Sequence, residues 1–159
     1  MTTQRFEISQ AIDPTQVEAV RSLFLEYGQS LGFSLCFQGF DQELADLPGA
    51  YAPPAGRLLL ATAGDDAAGC IGLHGLDPSI CEMKRLYVRP AFRGSGLGRR
   101  LTEAIISEAR GIGYTRMRLD TIVGTMDDAI RLYRTLGFET IEPYRANPIA
   151  GALYMELQL

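Results

Sequence analysis

The chain has 159 residues, 47% apolar and 21% charged, with a net charge of −4. That length and composition suit one globular domain over residues 1–159 and exclude a disordered tail. The acidic balance argues against a protein that coats nucleic acid by neutralising phosphates, so no nucleic-acid partner is expected; a local basic patch for a small anion stays possible. No apolar run approaches the roughly 18 residues that span a bilayer, and the N-terminus lacks the apolar core of a signal peptide. No membrane partner is therefore expected. Cys36, Cys70 and Cys81 are odd in number and form no CxxC pair, which suits reduced thiols in a cytoplasmic protein. His74 is the single histidine, so a zinc site is hard to assemble and no metal is expected.

In chain order, residues 5–11 read as a short strand with Phe6 and Ile8 on one face. Asp13-Pro14 looks like an N-cap followed by proline at the first helical position. Val17, Val20, Leu23, Phe24 and Tyr27 then recur at helical spacing to about Gly28. Residues 33–47 read as a loop plus a short helix, and residues 51–56 as a loop with two prolines. Strands follow at 57–63, 68–76 and 80–88, the first two joined by the turn signal Gly64-Asp65-Asp66. A glycine cluster at 94–98 opens a helix over 98–111. A strand at 115–122, a short amphipathic helix closed by Gly137, and strands at 138–141 and 152–157 complete the chain. An antiparallel meander passing into alternating strands and helices indicates an α+β fold with a mixed sheet.

The sharpest chemical signal is Arg93-Gly94-Ser95-Gly96-Leu97-Gly98-Arg99-Arg100, between a strand and a helix. Helix N-termini expose unpaired N–H groups and a partial positive charge, and glycines let a ligand approach the backbone. Arg93, Arg99 and Arg100 raise the local potential. A dinucleotide-binding G-x-G-x-x-G fails at Arg99, a P-loop lacks its lysine, and a G-x-S-x-G elbow fails at Arg93.

This turn resembles the [Gln/Arg]-x-x-Gly-x-[Gly/Ala] acetyl-CoA turn of the GNAT superfamily of N-acetyltransferases. The preceding Leu86-Tyr87-Val88-Arg89-Pro90 is similar to the end of that family's fourth strand. Ala129-Ile130-Arg131-Leu132-Tyr133-Arg134-Thr135-Leu136-Gly137-Phe138 resembles its A-x-x-[LF]-Y-x-x-x-G-F segment. The resemblance implies the GNAT fold, a mostly antiparallel mixed sheet splayed between strands 4 and 5 and flanked by about four helices. It implies acetyl-CoA as cosubstrate, bound by Leu86, Tyr87, Val88, Arg93, Gly94, Ser95, Gly96, Leu97, Gly98 and Arg99. One departure is Met126, which stands where the family often has asparagine.

Acetyl transfer to an amine needs a neutral nucleophile and a proton source for the leaving thiolate. Tyr133 is the candidate acid, from its place in the motif; a core tyrosine on an amphipathic helix is the competing reading. Glu82 is the candidate base, six residues before Val88, where the resemblance to histone-modifying members puts a glutamate. A carboxylate beside a buried channel could have a raised pKa. Alternatively, it is a solvent-facing glutamate paired with Lys84 or Arg85, and water is the base. His74 could be a base or a structural histidine. Asp120 could orient substrate or pair with Arg116 or Arg118. Met83-Lys84-Arg85 could serve the acceptor channel or form a charged strand face. Cys81 reads as an apolar filler. Residues 33–54 and the loop 143–148 are expected to wall the acceptor site, where Arg145 could hold a carboxylate or lie on the surface.

These readings converge on an N-acetyltransferase that moves acetyl from acetyl-CoA to a primary amine of a small molecule, by direct attack in a ternary complex. The alternatives are a peptide or protein amine as acceptor, or a non-catalytic acyl-CoA-binding module. A homodimer is compatible with the sequence.

Overall fold

Periodicity and turn chemistry translate closely into the observed elements. A computed structural model describes residues 4–35 and 39–159, so Cys36 lies outside the described residues. The elements are β1 (Glu7–Gln10), α1 (Pro14–Ser30), α2 (Phe40–Asp46), β2 (Arg57–Ala63), β3 (Asp66–Gly75), β4 (Ile80–Val88), α3 (Leu97–Ile112), β5 (Arg116–Ile122), α4 (Asp127–Thr135), β6 (Glu139–Ile141) and β7 (Ala152–Gln158). Short 3-10 turns occupy Gly49–Tyr51 and Pro90–Phe92. α1 begins as a capping box: the Asp13 carboxylate accepts from the Gln16 amide at 2.8 Å, and the Gln16 side chain accepts from the Asp13 amide at 3.3 Å. α3 opens at Gly96 and closes at Gly113, both with positive φ, a conformation glycine adopts without steric cost.

The seven strands form one sheet in the order β1-β2-β3-β4-β5-β7-β6, antiparallel except for β4 and β5. Each face carries its own apolar cluster. Under α3 and α4 lie Ile71, Leu73, Met83, Leu101, Ile105, Met117 and Met155. Under α1 and α2 lie Val20, Leu23, Phe24, Leu58, Leu60, Phe40 and Tyr51. Burying both faces supplies the main stabilising term for a domain of this size. Cys70 and Cys81 are buried free thiols, one in each cluster. Among the described residues no helix is long and apolar enough to cross a membrane.

Two irregularities in β4 shape the molecule. First, β4 pairs with β5 only from Ile80–Glu82 against Arg116–Arg118, after which the two strands part. Second, the β3–β4 register shifts: Lys84 faces Gly72 and Tyr87 faces Cys70, so Arg85 and Leu86 together oppose Ile71. This is a β-bulge, and Arg85 takes φ 63°, alone among non-glycine residues described. The bulge turns the second half of β4 away from β5 and leaves one side of its backbone without a strand partner.

β3 tolerates no side chain at Gly69. A Cβ there would lie 2.7 Å from the Tyr87 carbonyl oxygen on β4 and 3.1 Å from Leu101 of α3. Gly69→Ala is expected to destabilise the fold by about 1–3 kcal/mol, as overpacking does. Equilibrium urea unfolding measures this; an unchanged midpoint would show that β4 can yield.

Candidate active site

The parting of β4 and β5 opens a cavity of about 650 Å³. Its floor is the two diverging strands, Met83 to Val88 on one side and Leu119 to Ile122 on the other. One end reaches Arg93, Gly94, Gly96, Leu97 and Gly98, and α4 contributes Ala129, Leu132 and Tyr133. Tyr27, Ser30, Leu31, Phe33 and Leu35 cover it from the α1 side, and Asn147 from the β6–β7 loop. Of the described residues in the expected walls, 33–54 and 143–148, only Phe33, Leu35 and Asn147 line the cavity.

At the glycine end, Cβ atoms added at Gly94 or Gly96 would meet nothing within 4 Å, and one at Gly98 would meet only Val88 at 3.9 Å. The first helical hydrogen bond runs from the Arg100 amide to the Gly96 carbonyl, and no side chain caps the helix. Among the described residues, the amides of Leu97, Gly98 and Arg99 have no protein acceptor. Such a bare, open N-terminus is a ready anion site. The arginines contribute less than expected. Arg93 donates from Nε to the Val88 carbonyl at 2.9 Å and lies over the Tyr87 ring at 5.8 Å. Arg99 pairs with Glu103 at 2.7 Å, and Arg100 reaches the Phe6 carbonyl at 3.4 Å. The Ser95 hydroxyl turns back to the Phe92 carbonyl at 2.5 Å, so neither Ser95 nor Arg99 lines the cavity. Leu86, Tyr87 and Val88 do line it.

Tyr133 is 5% exposed and packs on Phe138, ring centroids 5.6 Å apart. Both readings of this residue therefore meet in one side chain: it belongs to the core and it lines the cavity. Its hydroxyl has no hydrogen-bond partner among the described residues, which costs about 1–3 kcal/mol unless a ligand supplies one. Burial pushes its pKa up, so it stays protonated at neutral pH. Met126 stands before α4 without capping it, and its sulfur accepts from the Thr121 hydroxyl at 3.3 Å. Asp127 instead accepts from the Gly124 amide at 2.7 Å.

Glu82 sits at the apex where β4 and β5 part, and it is 0% exposed. Its carboxylate accepts from His74 Nε2 at 2.8 Å and the Tyr144 hydroxyl at 2.6 Å, pairs with Arg145, and has Lys84 Nζ at 3.9 Å. The solvent-facing reading is corrected, and so is the expected raised pKa. Burial alone would raise it, but the hydrogen bond from His74, the Lys84 charge, the Tyr144 hydroxyl and Arg145 together hold it at about 2. Its partners come from β3 and from a loop some sixty residues downstream, contacts that no local pattern announces. Glu82, His74, Tyr144 and Arg145 do not line the cavity. Arg145 is neither free for a ligand nor a bare surface residue, because Glu82 takes its charge.

Met83-Lys84-Arg85 is not a solvated charged face. Met83 is in the α3 cluster. Arg85 turns to the other face and makes a two-pronged pair with Glu43 of α2, at 2.9 and 3.0 Å, with its guanidinium 5.0 Å from the centre of the Phe40 ring. Sequence reasoning missed Glu43, which carries no motif. Asp120 is half-buried on the cavity wall and accepts from Asn147 at 3.1 Å. It does not pair with Arg116 or Arg118, which both go to Glu156.

Comparison with known proteins accords with this geometry. The model of the acetyltransferase (GNAT) family matches residues 18–138. An uncharacterized N-acetyltransferase of Schizosaccharomyces pombe is 42% identical over 161 residues, covering 100% of this chain and 98% of that one. The crystal structure of an acetyltransferase from Streptococcus agalactiae superposes with a TM-score of 0.79 at 22% identity, covering 97% and 98% of the two chains. A Salmonella typhimurium protein described as a putative acetyltransferase with its cofactor acetyl-CoA superposes at 0.69 and 21% identity, covering 96% and 93%.

The Glu82 cluster makes stability depend on acid. A carboxylate whose pKa falls on folding contributes stability above its unfolded pKa and loses it as pH drops towards the folded value. With the folded pKa at about 2, about 3 kcal/mol is expected to disappear between roughly pH 5 and pH 2. Denaturant unfolding across that range measures the slope. Glu82→Gln should be less stable at pH 7 and show a shallower acid limb; an equal slope in both proteins would remove Glu82 as its source.

Proposed function

Since this chain belongs to the acetyltransferase (GNAT) family and is an acetyl-CoA-dependent acyltransferase, we propose that it acetylates a primary amine of a small molecule by direct attack in a ternary complex. The observation that carries this reading is one continuous cavity that runs from a bare helix N-terminus to an opened strand pair and holds the unpartnered Tyr133 hydroxyl. Acetyl-CoA supplies an activated acyl carbon, as a thioester. The unpaired amides of Leu97, Gly98 and Arg99 face its diphosphate, and the cavity side of Leu86, Tyr87 and Val88 offers strand-like hydrogen bonds to the pantetheine arm.

Tyr133 is the proton donor to the departing thiolate, a role that its burial and protonated state support. Water is the better candidate base. The Glu82 carboxylate is already engaged by His74, Tyr144 and Arg145 and is too acidic to take a proton at neutral pH. Glu82 then acts as a positioning residue that ties Tyr144 and Arg145 to the strand apex. The cover formed by Tyr27, Leu31, Phe33, Leu35 and Asn147 favours a compact acceptor over a long peptide.

Thiol release from acetyl-CoA across a panel of small amines and short peptides with free N-termini tests the reading; turnover confined to peptides would overturn the acceptor class. Tyr133→Phe is expected to lower kcat by about a hundredfold with the affinity for coenzyme A little changed. Unchanged kcat would free Tyr133 of its role. Gly96→Val is expected to weaken coenzyme A binding at least about tenfold, because Gly96 holds φ 82° and its Cβ direction opens into the cradle. Calorimetric titration reads this, and intact binding would move the diphosphate elsewhere.

A further inference from the structure

Lys84 is a buried cation whose donors make no hydrogen bond among the described residues. Its side chain is only 8% exposed, yet it lines the cavity on the β4 arm. Its ammonium stands 3.9 Å from Glu82 Oε1, beyond hydrogen-bond distance, so a buried group with three donors makes no hydrogen bond among the described residues. Buried donors without partners are costly and rare, and at a cavity wall they point to acceptor atoms supplied by a ligand.

The charges around it give the sign of that ligand. Arg85 is matched by Glu43, and Arg145 by Glu82. Lys84 is the surplus: three cations meet two carboxylates around the second half of β4, and of the three Lys84 alone has no carboxylate to itself. Asp120, half-buried on the β5 arm, presents the opposite sign across the gap and keeps its carboxylate oriented through Asn147. The cavity is therefore positive on one strand and negative on the other.

We propose that the acceptor is an amino carboxylate, with Lys84 binding its carboxylate and Asp120 receiving its ammonium group before deprotonation. This deepens the acetyltransferase reading and rests on it. Lys84 remains largely charged at neutral pH: burial and the neighbouring Arg85 charge lower its pKa to about 8, against the opposing pull of Glu82 and Glu43. A bound carboxylate would raise it again. Charge-assisted hydrogen bonds of this kind are short and strong, and they reject analogues that lack the anion.

The test compares glycine, β-alanine and γ-aminobutyrate with their primary amides, in turnover of acetyl-CoA and in calorimetric binding to protein saturated with coenzyme A. Expected is a kcat/KM at least about tenfold higher for one or more of the amino carboxylates than for the matched amide, and a ratio near one in Lys84→Met. Turnover with no preference between the series, or a preference that survives in Lys84→Met, overturns the subsite and leaves the acetyltransferase reading intact. Carboxylate-selective binding without turnover of any amine supports the subsite and overturns the catalytic reading. Absence of both turnover and selective binding overturns the subsite. The wild-type comparison decides the matter even if Lys84→Met fails to fold.

Discussion

Everything at the site depends on a parallel ladder that stops early. β4 and β5 hold each other for three residues and then part, and the parting is enforced by the bulge at Arg85 and Leu86. A side chain at φ 63° costs about 1–2 kcal/mol. That cost is offset locally, because the buried guanidinium forms two hydrogen bonds with Glu43 and lies on Phe40. The same contact fixes α2 to the strand. The opened backbone of β4 and the helix α2 packed beside it are thus two ends of one ion pair.

The electrostatics of the cavity are local and largely self-cancelling. The net charge of −4 says little about it. At the glycine turn, the positive potential comes from helix amides more than from arginine side chains, since Arg99 and Arg100 are engaged elsewhere. At the strand apex, Glu82 is ionised because its surroundings supply donors faster than burial penalises the charge. A group so well satisfied holds structure together and is poorly suited to exchanging protons. The Tyr133 hydroxyl and the Lys84 ammonium are the reverse case, polar groups buried without a hydrogen bond among the described residues.

Much of the fold was legible in local pattern. β2 and β4 begin and end at the residues that alternation and turn signals indicated, and Asp13-Pro14 caps α1 as its chemistry predicts. The glycine turn was legible because its function demands unusual backbone, and unusual backbone leaves glycine in the sequence. The bulge was not legible, since the residue at positive φ is an arginine held by tertiary contacts. The surroundings of Glu82, Lys84 and Arg85 were hidden for the same reason. Three charges in four residues look like a wetted strand, and only Glu43, His74, Tyr144 and Arg145, brought in from elsewhere, make their burial tolerable.

The two apolar clusters on opposite faces of the sheet carry a consequence for how such a chain can change over time. α3, which opens at the glycine turn, and α4, which carries Tyr133, rest on one cluster, while α1 and α2 rest on the other. Substitutions on the buried faces of α1 or α2 are absorbed by a core that α3 and the glycine turn do not share. One face can therefore drift while the glycine turn and Tyr133 stay under a separate, undisturbed selection on the other.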